Sequence, residues 1–269
     1  MVSVQANFAV VNDMLREAAR LRLADKGPIV VEGIGRIGPL VELTFAAIHY
    51  ESQYREVSVR SRFAANLRSA LRSREPFGGG YNDTYGAYPL GIQNPITATV
   101  SAWDQWTVHA ENIAKIKGVD PSLIASLLGA MIELQDNVYE HSGAPQTGLV
   151  AYAVTPASFE FVVADLGWGV LETLRQNPQY SGLTDAGAAL QEALKDGVSR
   201  FPTEEGRGRG FNQLFRALVG HNAELRFRSS DHSLTMRPTK NAGFGTTALA
   251  QVAPLDGLAV SVYCRTGGS

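Results

Sequence analysis

The stretch from Asp120 to His141 constrains the chain more than any other. Asp120 followed by Pro121 reads as a helix cap with proline at the first helical position. Ile124, Leu127, Leu128, Met131, Leu134 and Val138 then recur at three- and four-residue spacing, which predicts a helix from Pro121 to about His141 with one face in a core. Glu133, Asn137 and His141 stand four apart, so they share another stripe, with Asp136 and Glu140 beside it. An acid, an amide and an imidazole in one row are costly to bury without partners. A solvated helix face is the plain alternative.

Three further segments carry chemistry-bearing patterns. Phe161-Val162-Val163-Ala164 is an apolar strand that ends in Asp165-Leu166-Gly167-Trp168-Gly169. A carboxylate at a strand end can accept from an exocyclic amine, and alternate glycines suit close approach of a ligand to the backbone; a plain turn is the competing reading. Gly206-Arg207-Gly208-Arg209-Gly210 lies directly before a helical stretch, Phe211 to Val219. Glycines at every second position let successive N–H groups turn toward an anion, and the helix start adds its positive end. Arg207 and Arg209 add charge. Neither a lysine nor a hydroxyl residue follows the last glycine, so this is not the GxxxxGK[ST] phosphate loop. Gly243-Phe244-Gly245-Thr246-Thr247 opens a late strand.

The order of the four segments resembles the GHKL, or Bergerat-fold, ATP-binding family, which includes histidine kinases, type II topoisomerases, heat-shock chaperone ATPases and mismatch-repair ATPases. The resemblance spans roughly Ile96 to Cys264. It implies an α/β sandwich with a mixed sheet, one face of it covered by helices. It also implies roles: Asn137 as the ligand of Mg²⁺, a hard cation that prefers oxygen donors; Glu133 as the catalytic base; and Asp165 as the adenine reader, with Gly167 and Gly169 packing close to the base. Gly206, Arg207, Gly208, Arg209 and Gly210 then cradle the phosphates, Thr246 or Thr247 supports the adenine end, and residues 171–205 form the lid over ATP. With His141, the pattern Glu-x-x-x-Asn-x-x-x-His is similar to the anti-sigma-factor serine kinases. The lid is longer than in minimal members of that group and contains a helical stretch, Asp185 to Leu194, which leaves the protein substrate open. His109 lacks the Glu-Leu-Arg-x-Pro setting of a phosphate-acceptor histidine and reads as a surface or packing residue.

Upstream, Glu75-Pro76-Phe77-Gly78-Gly79-Gly80-Tyr81-Asn82-Asp83, with Pro89, Gly91 and Pro95 following, is rich in turn formers and marks a boundary. Two domains follow from it: residues 1–95, a small α/β module, and 96–269, the ATP-binding unit. The module reads as helix Phe8 to Ala24, strand Ile29 to Val31, helix Leu40 to Glu51, strand Glu56 to Arg60 and helix Phe63 to Arg72. By pattern it resembles the STAS-like anti-sigma-factor antagonists. Gly33-Ile34-Gly35-Arg36-Ile37-Gly38 is a GxGxxG between a strand and a helix, the context of a dinucleotide fingerprint, with Arg60 suited to a 2′-phosphate. Only two strands fit before the glycine-rich break, so a nicotinamide-dependent oxidoreductase ranks third.

Composition excludes little but narrows the setting. Lys plus Arg total 24 against 26 Asp plus Glu, which points to neither nucleic acid nor a membrane surface as partner. A single cysteine, Cys264, permits no internal disulfide and fits a reducing cytoplasm. No apolar run approaches the roughly 18–20 residues of a membrane helix. The leading expectation is an ATP- and Mg²⁺-binding regulatory protein, an ATPase or serine/threonine protein kinase acting on a protein partner, with homodimerisation left open. The second is an ATP-gated interaction module without chemistry.

Overall fold

The computed structural model describes residues 3–4, 7–20, 29–32, 36–49, 57–78, 83–91, 101–195, 218, 221, 223–237 and 247–266. The first part alternates short strands and helices: β1 (Ser3–Val4), α1 (Phe8–Arg20), β2 (Ile29–Glu32), α2 (Ile37–His49), β3 (Val57–Arg60) and α3 (Arg62–Ser73). Then come β4 (Tyr85–Pro89), α4 (Ala102–Ile116), α5 (Pro121–His141), β5 (Leu149–Thr155), β6 (Ser158–Asp165), α6 (Gly169–Arg175), α7 (Ala186–Ala193), β7 (Glu224–Met236) and β8 (Thr247–Arg265).

The strands form two sheets. β1, β2 and β3 pair in parallel in that order. The five-stranded sheet has the order β4-β5-β6-β8-β7, and every pairing in it is antiparallel. The sequence predicts a mixed sheet in the unit after the small α/β module; the five-stranded sheet is instead antiparallel throughout, and the parallel pairings lie in the module. β4 is the second difference. It lies within residues 1–95 yet runs against β5, Tyr85 opposite Ala153 and Pro89 opposite Leu149. In sheet terms the division therefore precedes β4. Its short Tyr-Gly-Ala-Tyr-Pro run, set among glycines and prolines, reads as a turn region because the edge position tolerates the proline.

The larger sheet is covered on both faces, where one covered face is expected. Because side chains alternate along a strand, Val150, Tyr152, Phe161, Val163, Val260 and Val262 face one core with α4, α5, Val170 and Leu174 of α6, and Leu190 of α7. Leu149, Ala151, Val162, Ala164 and Ala259 face the opposite core with α1, α2 and α3. That second face is rich in alanine, which lets α2 lie close; a Cβ at Gly38 would sit 2.6 Å from Ser261 Oγ. Every residue of α2 from Ile37 to Ala46 is buried, as a helix enclosed on all sides requires. Burying Ile37, Leu40, Val41, Leu43 and Phe45 contributes roughly 10 kcal/mol before chain entropy is counted.

Two ionic clusters fix how the module sits on the sheet. The Glu160 carboxylate on β6 accepts from the N–H groups of Ile37 and Gly38 at 2.9 and 3.1 Å and from Arg36 Nε at 3.0 Å. Arg36 also reaches Glu224 at 2.9 Å. Burial pushes the Glu160 carboxyl above its usual range even though Arg36 and the two N–H groups oppose it. Deeper in, Glu42 on α2 accepts from Arg226 at 2.8 Å and Arg228 at 3.0 Å, and Asn12 Oδ1 accepts from both arginines at 3.1 and 3.2 Å. Burial alone raises the Glu42 carboxyl, but Arg226 and Arg228 overcome it and hold the group below its ordinary value.

Candidate functional site

α5 begins as the sequence dictates. The Asp120 carboxylate accepts from the N–H groups of Ser122 and Leu123, with Pro121 in the first turn, so two of the orphan donors at the helix start are satisfied. Leu123, Ile124, Leu127, Met131, Leu134 and Val138 are buried against the sheet and α4. Glu133, Asn137 and His141 share the adjoining stripe, each half-buried. Burial, reinforced by Asp136, pushes the Glu133 carboxyl up. The His141 carbonyl accepts from Thr173 Oγ at 3.1 Å, which ties the end of α5 to α6. The Asn137 side chain hydrogen-bonds to no described residue.

Asp165 closes β6 against that same end of α5. It is 4% exposed, and desolvation pushes its carboxyl up to about 6, against the opposing pull of the Gly167 N–H. That N–H donates to Oδ1 at 2.7 Å. The next residue, Trp168, donates its N–H to the Ser142 carbonyl at 2.8 Å. The two glycines expected to admit a ligand have protein neighbours. A Cβ at Gly167 would stand 2.0 Å from the Ser142 carbonyl oxygen, and one at Gly169 (φ +69°) would stand 2.7 Å from Ser229 Oγ and 2.9 Å from the Gly257 carbonyl oxygen. The glycines let the turn press onto α5, β7 and β8, and this contact sets the position of Asp165.

The structure places the Asp165-Leu166-Gly167-Trp168-Gly169 turn against the C-terminal end of α5, where His141 lies, with Asn137 one turn and Glu133 two turns before it. It does not bring Thr247 there. Thr247 stands opposite Met236 in the β7–β8 ladder, whereas Leu258 is the β8 residue opposite Asp165. The two stand eleven positions apart along β8, about 35 Å of chain. The glycine beside Asp165 is Gly257, at φ +80° with its would-be Cβ 2.0 Å from the Asp165 carbonyl oxygen. The hydroxyl position implied for the adenine end is occupied by Leu258, whose side chain shares a sheet face with Asp165. Sequence reasoning passed over Asp256-Gly257 because a Gly-Thr pair stood earlier in the chain. An Asp-Gly pair inside a strand is itself a signal of a bulge or a close backbone approach.

Gly206, Arg207, Gly208, Arg209, Gly210 and Thr246 lie outside the described residues. Leu218 is buried in the α5 core, and His221 Nε2 lies 3.4 Å from Ser126 Oγ on α5. In the N-terminal GxGxxG, residues 33–35 are likewise outside the described set, as is the side chain of Arg60. Where a pyrophosphate would sit on the start of α2, the Ile37 and Gly38 N–H groups are already bound to Glu160. His109 is half-buried on α4, with Nε2 enclosed, as suits a packing residue.

Asp165 fits the base end of an adenine nucleotide: a buried acceptor with one N–H donor among the described residues and capacity for another. Among the described residues, no helix is long and apolar enough to cross a membrane. No family model matches the chain, and no curated protein or solved structure does so either.

Proposed function

We propose that this chain is an ATP- and Mg²⁺-binding regulatory protein of the GHKL type, an ATPase or serine/threonine protein kinase of the cytoplasm, preceded by a STAS-like module. The observation that carries the reading is Asp165: a carboxyl buried at a strand end, its charge opposed by desolvation and met by one N–H. Such a group gains most from a ligand that donates to it, because an under-satisfied buried acceptor costs free energy until it is paired. The exocyclic amine of adenine is such a donor. A nicotinamide cofactor on α2 is disfavoured by Glu160, which takes the same N–H groups.

The remaining roles follow along α5. Asn137, one turn before the helix end, supplies an amide oxygen for Mg²⁺, which when bound neutralises phosphate charge. Glu133 lies one turn further back, and burial raises its proton affinity, which suits a base for a water or hydroxyl. The glycine loop at 206–210 is the proposed phosphate cradle.

Calorimetric titration with a non-hydrolysable ATP analogue, with and without Mg²⁺, tests the reading on wild type and Asp165→Ala. Binding that strengthens with Mg²⁺ and disappears in the variant supports it; equal binding by both proteins overturns it. Glu133→Ala should keep binding while losing phosphate release or label transfer to a protein. A wild type that binds yet shows neither activity is an ATP-gated interaction module.

A further inference from the structure

The chain has three tryptophans, and they are used differently. Trp103 and Trp106 stack on each other with centroids 5.6 Å apart, with Tyr88 and Tyr152 packed edge-on around them. Trp168 is 50% exposed. Its ring nevertheless rests on a prepared surface. A Cβ at Gly143 would stand 2.4 Å from the indole Cε2, and Gly143 has φ +69°, so both the ring and the backbone require glycine there.

The main chain ties this indole to Asp165. Gly167 donates to Asp165 Oδ1 at 2.7 Å, its α-carbon abuts the Ser142 carbonyl, and Trp168 donates to that same carbonyl at 2.8 Å. The buried carboxylate and the exposed ring are thus successive attachments of one clasp between the turn and the end of α5. An indole that rests on glycine and is half exposed is a surface for a flat ring, which gains from stacking and from covering apolar area. A phosphate gains neither.

We propose that Trp168 is the stacking, specificity-determining surface for the base whose exocyclic amine Asp165 receives, so that the ligand is recognised as an aminopurine rather than by its phosphates alone. The inference rests on the nucleotide reading above and adds the residue that selects the base.

The test is calorimetric titration of the full chain with ATP, ITP and inorganic tripolyphosphate, alongside tryptophan emission. Trp168→Leu keeps apolar bulk on Gly143 without the π face; Trp168→Phe keeps a ring. ATP is expected to quench emission in wild type but not in the Phe variant. The Phe variant should bind ATP within about threefold of wild type, and the Leu variant about tenfold more weakly, the scale of one lost base–aromatic stack. Tripolyphosphate affinity should be unchanged in both. If the Leu variant, with a wild-type urea midpoint, binds ATP as wild type does, or loses tripolyphosphate equally, the stacking role is overturned while the nucleotide reading stands. If wild type binds no ATP, both fall together.

Discussion

Asp165→Asn should stabilise the fold and remove nucleotide binding at the same time. The carboxyl is pushed from an ordinary 3.8 up to about 6 by burial, with the Gly167 N–H opposing, which sets about 3 kcal/mol against the ionised form. Between these two values the native state holds more protons than the unfolded state, so stability falls as pH rises through the window. About 1 kcal/mol of the cost is present at pH 4.5 and nearly all of it by pH 7. Asparagine keeps an oxygen for the Gly167 N–H and carries no charge, at the expense of about 1 kcal/mol for its own buried amide. The variant should therefore be about 2 kcal/mol more stable than wild type at pH 8, a rise in Tm of about 4–8 °C for a chain this long. That advantage should shrink by about 2 kcal/mol at pH 4.5, read from urea unfolding midpoints at the two pH values. ATP affinity should fall about a hundredfold, because the new amide presents a donor toward the exocyclic amine. A variant destabilised equally at both pH values would refute the assignment of a strained carboxylate to this position.

Other substitutions probe the neighbouring structure. Glu42→Ala leaves Arg226 and Arg228 buried without their carboxylate and should cost about 3–5 kcal/mol in urea unfolding; a loss under 1 kcal/mol would mean that the cluster hydrates. Gly257→Ala places a methyl 2.0 Å from the Asp165 carbonyl at φ +80° and should cost about 3 kcal/mol, with nucleotide affinity falling in parallel because Asp165 shifts. Leu258→Thr puts a hydroxyl on the β8 position opposite Asp165 and should tighten ATP binding about fivefold by calorimetry; unchanged affinity would show that this side chain does not reach the base.

What the sequence made legible was local. Asp120-Pro121 and the spacing of Leu127, Met131, Leu134 and Val138 specify α5 unaided, and its observed ends are Pro121 and His141. The apolar run Phe161-Val162-Val163-Ala164 reads as a strand and lies within β6. The pairings that cross long stretches of chain were not legible. Tyr85–Pro89 carries no strand pattern until β5 lies beside it. Gly257 could not be told from Gly245 as the glycine beside Asp165, because only the β6–β8 register decides which one lies there. The carboxylate shared by Arg226 and Arg228, Glu42, comes from α2, more than 180 residues away.

The apolar run Phe161-Val162-Val163-Ala164 held more information than a strand with one covered face needs. Alternation is expected when one face meets water, and a continuous run when both are buried. Phe161 and Val163 enter the core of α5, while Val162 and Ala164 enter the core of α1 and α2. Asp165 falls on the α5 side of this alternation, and its neighbours Ala164 and Leu166 pack on the module side. A slip of one residue would turn the carboxylate into the module core and set Ala164 at the end of α5. The module that covers the back of the sheet thereby fixes which way Asp165 faces. Glu160 reinforces it five residues earlier, on the opposite side from the indole clasp, by capping the helix that does the covering. The orientation of the Asp165 carboxylate is therefore a property of both parts of the chain, although the four motifs that resemble the GHKL family lie in one of them.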